Sequence, residues 1–239
     1  MDLATAAVAV LPLLFVKIPQ PDKPDAVARP RQSVWRESIE SLRLLANWKG
    51  LFILTLATAI VPFFGSPAHA MAPLLIAERF DGGAMHFGLF MVADNVGAIV
   101  GGILFSMWAE KTRKYNIMLG VGVVFGLFSI LQGVTPAGAY WLFLGASFMP
   151  ALAASAYFAS VRVLIQQSVA PEAQGRMFAL QNGFLWSAAP LGLATIGPAS
   201  GIIGLHVPFI LRGIAMLSAT LIFFLSRSVR EIEGTKYKA

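Results

Sequence analysis

Residues 50–77, GLFILTLATAIVPFFGSPAHAMAPLLIA, form a run of 28 residues that contains no Lys, Arg, Asp or Glu. As an α-helix these 28 residues would be about 42 Å long, and a bilayer core is about 30 Å thick. The run is too short for two spans, and a loop at this depth would leave backbone groups unpaired in lipid. We therefore expect one membrane-spanning helix that tilts, bends or protrudes.

Helix-breaking residues are concentrated in the outer part of this span. Pro62, Pro67 and Pro73 each remove a backbone hydrogen bond, and Gly65 adds conformational freedom. The pattern predicts a bend in this span. A fixed kink that only suits packing is the alternative interpretation.

The composition of the whole chain is that of an integral membrane protein. It is 57% hydrophobic and 13% charged, whereas soluble domains have about 45–50% apolar and about 25% charged residues. The net charge of +6 fits basic cytoplasmic loops better than nucleic-acid binding. There is no cysteine, and the three histidines lie on different spans without ligand spacing, so we expect no metal site and no cofactor.

Seven spans are predicted, and the basic residues sort to one side of them. Sixteen of the eighteen Lys and Arg residues lie in alternate connections or the tail, which predicts an outside N-terminus and a cytoplasmic C-terminus in a plasma (bacterial inner) membrane. The predicted spans are Leu3–Val16, Gly50–Ala77, Phe87–Ala109, Tyr115–Val134, Tyr140–Ile165, Met177–Gly197 and Val207–Leu225.

These spans divide the chain into four predicted regions. Residues 1–18 form a truncated transmembrane helix, because the 14 residues of Leu3–Val16 reach only about 21 Å. Residues 19–49 form a cytoplasmic linker, Pro-rich at first and then an amphipathic helix with Trp35, Ile39 and Leu42 on one face. Residues 50–228 form a six-helix bundle, and residues 229–239 a cytoplasmic tail.

Two predicted cytoplasmic loops carry recognisable motifs. SMWAEKTRKY, residues 106–115, presents an acid followed by bases, and PEAQGR, residues 171–176, precedes the sixth span. They resemble the loop signatures of the major facilitator superfamily, with the drug, macrolide and siderophore exporters as the most similar branch. Ser106 replaces the first glycine of the family's first signature, and its second glycine is missing. The matching residues are Glu110, Lys111, Arg113, Pro171, Glu172, Gly175 and Arg176.

The resemblance implies an all-α fold, the six-helix C-terminal half of such a transporter preceded by the end of helix 6. It implies efflux of a small molecule across the bilayer by alternating access and proton-coupled antiport. It also makes residues 50–77 a cavity-lining helix whose outer part, with Pro62, Gly65, Pro67 and Pro73, bends as an external gate closes. It also implies an absent N-terminal half or a second copy as partner. An inactive truncated remnant is the alternative. A seven-helix receptor-like or light-driven membrane protein is a further alternative, because it has the same topology. A retinal protein would need a lysine in the last span, which has none. The sequence contains no recognisable catalytic motif of an enzyme.

Polar residues inside the spans are the candidate site. Asp94 is the candidate proton-coupling group, because a carboxylate within the membrane is costly and usually functional; a neutral carboxyl that joins helices is the alternative. Arg212 and Arg162 lie near span ends, where anchoring at the membrane surface is the simpler interpretation. The GxxxG pairs Gly97–Gly101, Gly122–Gly126 and Gly197–Gly201 predict close helix packing. The candidates for the substrate cavity are His69, Asn95, Ser155, Tyr157 and Arg162.

Overall fold

The computed structural model describes residues 49–232, which form six long helices and one short one, with no strand in that range. The all-α prediction is confirmed. The predicted first span, the amphipathic linker helix and the tail beyond Ile232 lie outside the described residues. The helices are α1 (Lys49–Phe80), α2 (Ala84–Trp108), α3 (Lys114–Val134), α4 (Tyr140–Ser168), α5 (Pro171–Ile203), α6 (Val207–Leu225) and α7 (Arg227–Ile232).

Helix α1 is one continuous helix of 32 residues that contains Pro62, Pro67 and Pro73. The proline-rich stretch is therefore a single span and neither a loop nor two half-spans. Each proline leaves the carbonyl four residues earlier without its helical donor. The carbonyl of Phe63, released by Pro67, packs directly on Gly192 of α5, where even a methyl group would overlap it.

Five of the described helices are long and apolar enough to cross a membrane, and α5 is not among them. Its 33 residues exceed the bilayer thickness, but Gln181, Asn182 and the polar residues before Met177 make it less apolar. The predicted span Met177–Gly197 lies within this helix, which extends beyond it at both ends. Pro171 is the first residue of this helix, where its missing N–H costs nothing.

The helices pack in a defined order. Helix α3 packs between α4 and α6, α2 lies on α4, and α1 lies on α5 and α6. Gly97 and Gly101 of α2 let the backbone of α4 approach, and Gly126 of α3 meets Gly213 of α6. Close packing at the first two predicted GxxxG pairs is confirmed. Gly201, by contrast, has open space around it, so the third prediction was wrong.

Two apolar clusters lie towards opposite ends of the bundle. The first includes Leu51, Tyr157 and Phe223, and the second includes Ile76 and Phe143. The clusters occupy different turns of α1 and α4, so neither cluster fills the middle of the bundle. That middle region lines a cavity.

Candidate substrate cavity

A cavity of about 530 Å³ opens in the middle of the bundle, between α1, α2, α3, α4 and α6. Its α1 wall repeats at i, i+3, i+4 and i+7, which places these side chains on one face of the helix. The surface is mostly apolar, with a few polar groups, as is usual for small-molecule sites. The lining residues are Val61, Pro62, Gly65, Ser66, His69, Asp94, Ala98, Phe125, Pro150, Ala151, Ala154, Ser155, Phe158 and Arg212.

Three ionisable side chains from three different helices meet in this cavity. They are His69 of α1, Asp94 of α2 and Arg212 of α6. Arg212 and Asp94 attract each other electrostatically, yet no ion pair within 4.0 Å joins them in the described part of the chain. The ring of His69 lies 6.0 Å from that of Phe90. The cavity is therefore lined by a carboxyl group, of Asp94, and a guanidinium, of Arg212, that do not form an ion pair with each other.

A hydrogen-bonded chain holds Arg212 from behind the cavity. Its Nη2 donates to Oε1 of Gln132 on α3. The Gln132 Nε2 donates to Ser147 Oγ on α4 at 2.7 Å, and that hydroxyl donates to the Phe143 carbonyl at 2.7 Å. Gln132 and Ser147 are buried, so three helices fix the position of one cation.

The guanidinium of Arg212 is also packed between aromatic rings. Its central carbon lies 5.3 Å from the ring centroid of Phe125 and 5.4 Å from that of Phe209, within the range of cation–π attraction. The side chain is only 5% exposed, and its Nε has no hydrogen-bond partner among the described residues. The Nε is itself buried, so the described protein leaves one donor of this guanidinium unsatisfied.

The structure brings together Pro62, Gly65, His69, Asp94 and Ser155, which all line the cavity. The other two prolines of α1 do not line it. Pro67 is buried and Pro73 is exposed.

Asn95, Tyr157 and Arg162, which we predicted as cavity residues, lie elsewhere. Asn95 is exposed and its side chain donates to the Met91 carbonyl at 2.7 Å. Tyr157 is fully buried in the apolar cluster, its hydroxyl without a hydrogen bond in the described structure. Arg162 is exposed. For Tyr157 the physical reason is helical phase: successive residues of a helix turn by about 100°, so Ser155 and Phe158 share the cavity face and Tyr157 does not. Arg162 shares the helix face of Ser155 but lies about two turns nearer the C-terminal end of α4.

The signature-like loops lie apart from the cavity. Glu110, Lys111 and Arg113 are exposed in the turn between α2 and α3, which is closed by the Lys111 N–H donating to the Trp108 carbonyl at 3.1 Å.

At the second loop, Pro171 begins α5, and Gly175 and Arg176 are exposed on its first turns. The side chain of Glu172 lies outside what the structure describes. Gln174, which the sequence did not single out, donates to the carbonyls of Gln166 at 2.9 Å and Val169 at 3.2 Å, and so closes this loop.

Arg212 is the functional candidate that sequence reasoning undervalued. Its position near a predicted span end suggested an anchor at the membrane surface. The available signal was the presence of two polar side chains, Arg212 and Gln132, in otherwise apolar spans. Their pairing across 80 residues becomes visible only in the folded chain.

A comparison with known families matches residues 54–238 to the Major Facilitator Superfamily. This match covers most of the chain, and the chain therefore belongs to that superfamily. The resemblance to this superfamily, noted from the two signature-like loops, is confirmed, as is the fold class of a partial membrane transporter bundle.

Curated relatives include exporters. The chain is 23% identical over 233 residues to Macrolide efflux protein A of Streptococcus pyogenes, covering 98% of this chain and 57% of the relative. It is 26% identical over 193 residues to Macrolide efflux protein A of Enterococcus faecalis, covering 81% of this chain and 59% of the relative. The chain thus spans somewhat more than half the length of the curated relatives it matches, and the similarity supports the exporter branch of the superfamily.

Proposed function

We propose that this chain is one half of a secondary active transporter that exports a small molecule by alternating access. The observation that carries the proposal is the cavity, where His69, Asp94 and Arg212 from three helices meet inside an apolar bundle. Ionisable groups at membrane depth mark substrate and proton pathways in transporters. The macrolide in the relatives' names belongs to those proteins and is not transferred to this chain.

The proposed mechanism needs a second wall. In alternating access, two halves move against each other around a site at their interface, and the described residues supply one set of six long helices. The partner is an N-terminal half, encoded upstream or separately, or a second copy of this chain. The chain covers only 57–59% of the length of the relatives that it matches, which supports this view.

A reconstitution at low protein density tests the half-transporter proposal. The full chain is placed in liposomes at an average of less than one chain per vesicle, and exchange of its ligand across the membrane is followed. We expect no exchange at this density and recovery when the missing half or further copies are added. Exchange by single chains would contradict the proposal.

Asp94 is proposed as the proton-carrying group. It is half-buried on the cavity wall and lies on a different helix from the only buried cation that lines the cavity within the described residues. Such a carboxyl can take up a proton when the cavity faces one side and release it on the other. Infrared difference spectra between acidic and neutral pH should show a carboxylic C=O band from a carboxyl shielded from water.

The matched variants for this test are Asp94→Asn and Asp81→Asn. Asp81 is exposed in the α1–α2 connection at φ 51°, a left-handed conformation that asparagine tolerates. Asp94→Asn should remove the shielded band, and Asp81→Asn should leave it. A band that survives in Asp94→Asn excludes this carboxyl from proton coupling.

The proposed orientation places the α2–α3 turn in the cytoplasm and the α3–α4 connection outside. Lys111 and Ala137 are exposed in these two connections, and the chain has no cysteine of its own. A membrane-impermeant maleimide should label Ala137→Cys in right-side-out vesicles and Lys111→Cys only in inside-out vesicles. The reverse labelling would show that the basic residues do not set the topology here.

A further inference from the structure

We propose that the cavity binds a dipolar small molecule, with an acidic group on Arg212, an amine or other donor facing Asp94, and an apolar or aromatic body. The proposal rests on the proposed function and specifies the ligand of that site. Its grounds are the incomplete hydrogen bonding of Arg212, the separation of the two charges and the apolar lining.

Arg212 has more donors than the protein satisfies. A guanidinium has five N–H donors, and a single hydrogen bond, to Gln132, satisfies it within the described structure. Phe125 and Phe209 pack against the cation but offer no lone pairs. Because the planar fork matches a carboxylate or phosphate in two-point contact, an oxyanion is the ligand group that fits the remaining donors.

Asp94 sets the second requirement on the ligand. It lines the same cavity as Arg212 without an ion pair to it in the part of the chain described. A ligand that carried only an acid would satisfy Arg212 but place a second negative charge in a cavity that already holds a carboxylate. A buried charge without a partner is costly, so the complementary ligand presents a donor or cation to Asp94 as well.

The apolar lining of the cavity favours a ligand whose uncharged part is apolar or aromatic. Most of the surface between the two charged groups is apolar, with Phe125, Phe158 and Pro150 as its large members. Aromatic and aliphatic ligand groups fit such a wall through area burial and ring packing. Ser155 and His69 add further hydrogen-bonding groups to the lining.

Four matched probes separate the contributions. They are phenylalanine, which carries both charges; N-acetylphenylalanine, the acid alone; phenylalaninamide, the amine alone; and N-acetylphenylalaninamide, which carries neither. Binding to the full chain in lipid nanodiscs is measured by calorimetry. Because hydrogen bonds to charged groups are strong when desolvated, each charge should tighten binding about tenfold, and phenylalanine should bind most tightly.

Substitutions in the cavity show which residue causes each increase in affinity. Arg212→Gln should abolish the advantage of the acid over its amide, and Asp94→Asn the advantage of the amine over its acetyl form. Arg162→Gln is the matched control, an arginine that is exposed and does not line the cavity; it should leave all four affinities unchanged.

The wild-type series decides the proposal even if Arg212→Gln does not fold. Equal binding of acid and amide, preference for the amine alone, or no binding of the acid-bearing probes would overturn it. These outcomes are separable from failure of the transport proposal, since the exchange and accessibility experiments do not measure charge preference. A chain that binds phenylalanine as expected but does not exchange it even with the missing half or further copies present would contradict transport and leave the ligand class intact.

Discussion

Replacing Gly192 by alanine should separate α1 from α5. A Cβ at this position would overlap the Phe63 oxygen and lie 2.7 Å from its carbonyl carbon and 3.0 Å from its Cα. Because carbon atoms pack best at about 3.5–4.0 Å, the two helices must move apart by about 1 Å. The obstacle is backbone, so no side-chain rotation can relieve it.

The expected cost can be set against a control on the same helix. Because the obstacle is backbone, overpacking should cost about 3 kcal/mol, the upper end of the usual range, and replacing glycine in a helix returns about 1 kcal/mol of propensity, so we expect a net loss of about 2 kcal/mol. At Gly183 an added methyl group would have no neighbouring atom within 4 Å, and Gly183→Ala should gain stability from propensity alone.

Thermal unfolding of the purified chain in detergent, followed by far-UV circular dichroism, measures both variants. With about 2–4 °C per kcal/mol for a chain of this size, Gly192→Ala should melt about 4–8 °C below wild type. Gly183→Ala should melt at or above it. If Gly192→Ala melts with or above wild type, the close approach of α1 and α5 at the carbonyl released by Pro67 does not exist.

Contacts outside the cavity lead to three further predictions. Gly101→Ala should push α2 off the backbone of α4 and lower the melting temperature. Tyr140→Phe, which removes the hydroxyl that donates to the His86 carbonyl at 2.6 Å, should cost about 1 kcal/mol in chemical unfolding. Burial, and secondly the charge of Arg79, lower the pKa of His206 below its ordinary 6.5. Unfolded chains then bind this proton more readily, so His206 costs stability as pH falls below about 6.5. Arg79→Gln removes only the smaller of these two causes. It should therefore raise the pKa of His206, measured by NMR titration, only part of the way to its ordinary value.

The positions of the helices could largely be predicted from the sequence. Val207–Leu225 was predicted with the bounds that the structure gives, and Val134 was correctly placed as the end of its helix, because charged or turn-forming residues follow or precede these apolar runs. Helix α5 was underestimated because Arg176 suggested a boundary at Met177. A helix continues through polar residues wherever its backbone stays hydrogen-bonded, whether or not those residues lie in lipid.

The candidate site was only partly predictable. Asp94 is conspicuous as an acid within an apolar run, but the face that each neighbour presents depends on how helices pack. Asn95 and Tyr157 were therefore assigned to the cavity although they point away from it. The pairing of Arg212 with Gln132 depends on the packing of α3 against α6, which no local pattern encodes.

Alternating access requires that the cavity open to both sides of the membrane, which can be measured as its solvent accessibility from each side. Ser155 lines the cavity, whereas Ser160, further along α4, is fully buried and donates to the Ala156 carbonyl. Since the chain contains no cysteine, Ser155→Cys and Ser160→Cys can be labelled without background from the chain itself in vesicles from its native host.

A membrane-impermeant maleimide should label Ser155→Cys in both right-side-out and inside-out vesicles, and Ser160→Cys in neither. This result is expected if the cavity opens alternately to the two sides. Labelling of Ser155→Cys from one side only, or from neither, would show that the cavity does not open alternately to the two sides.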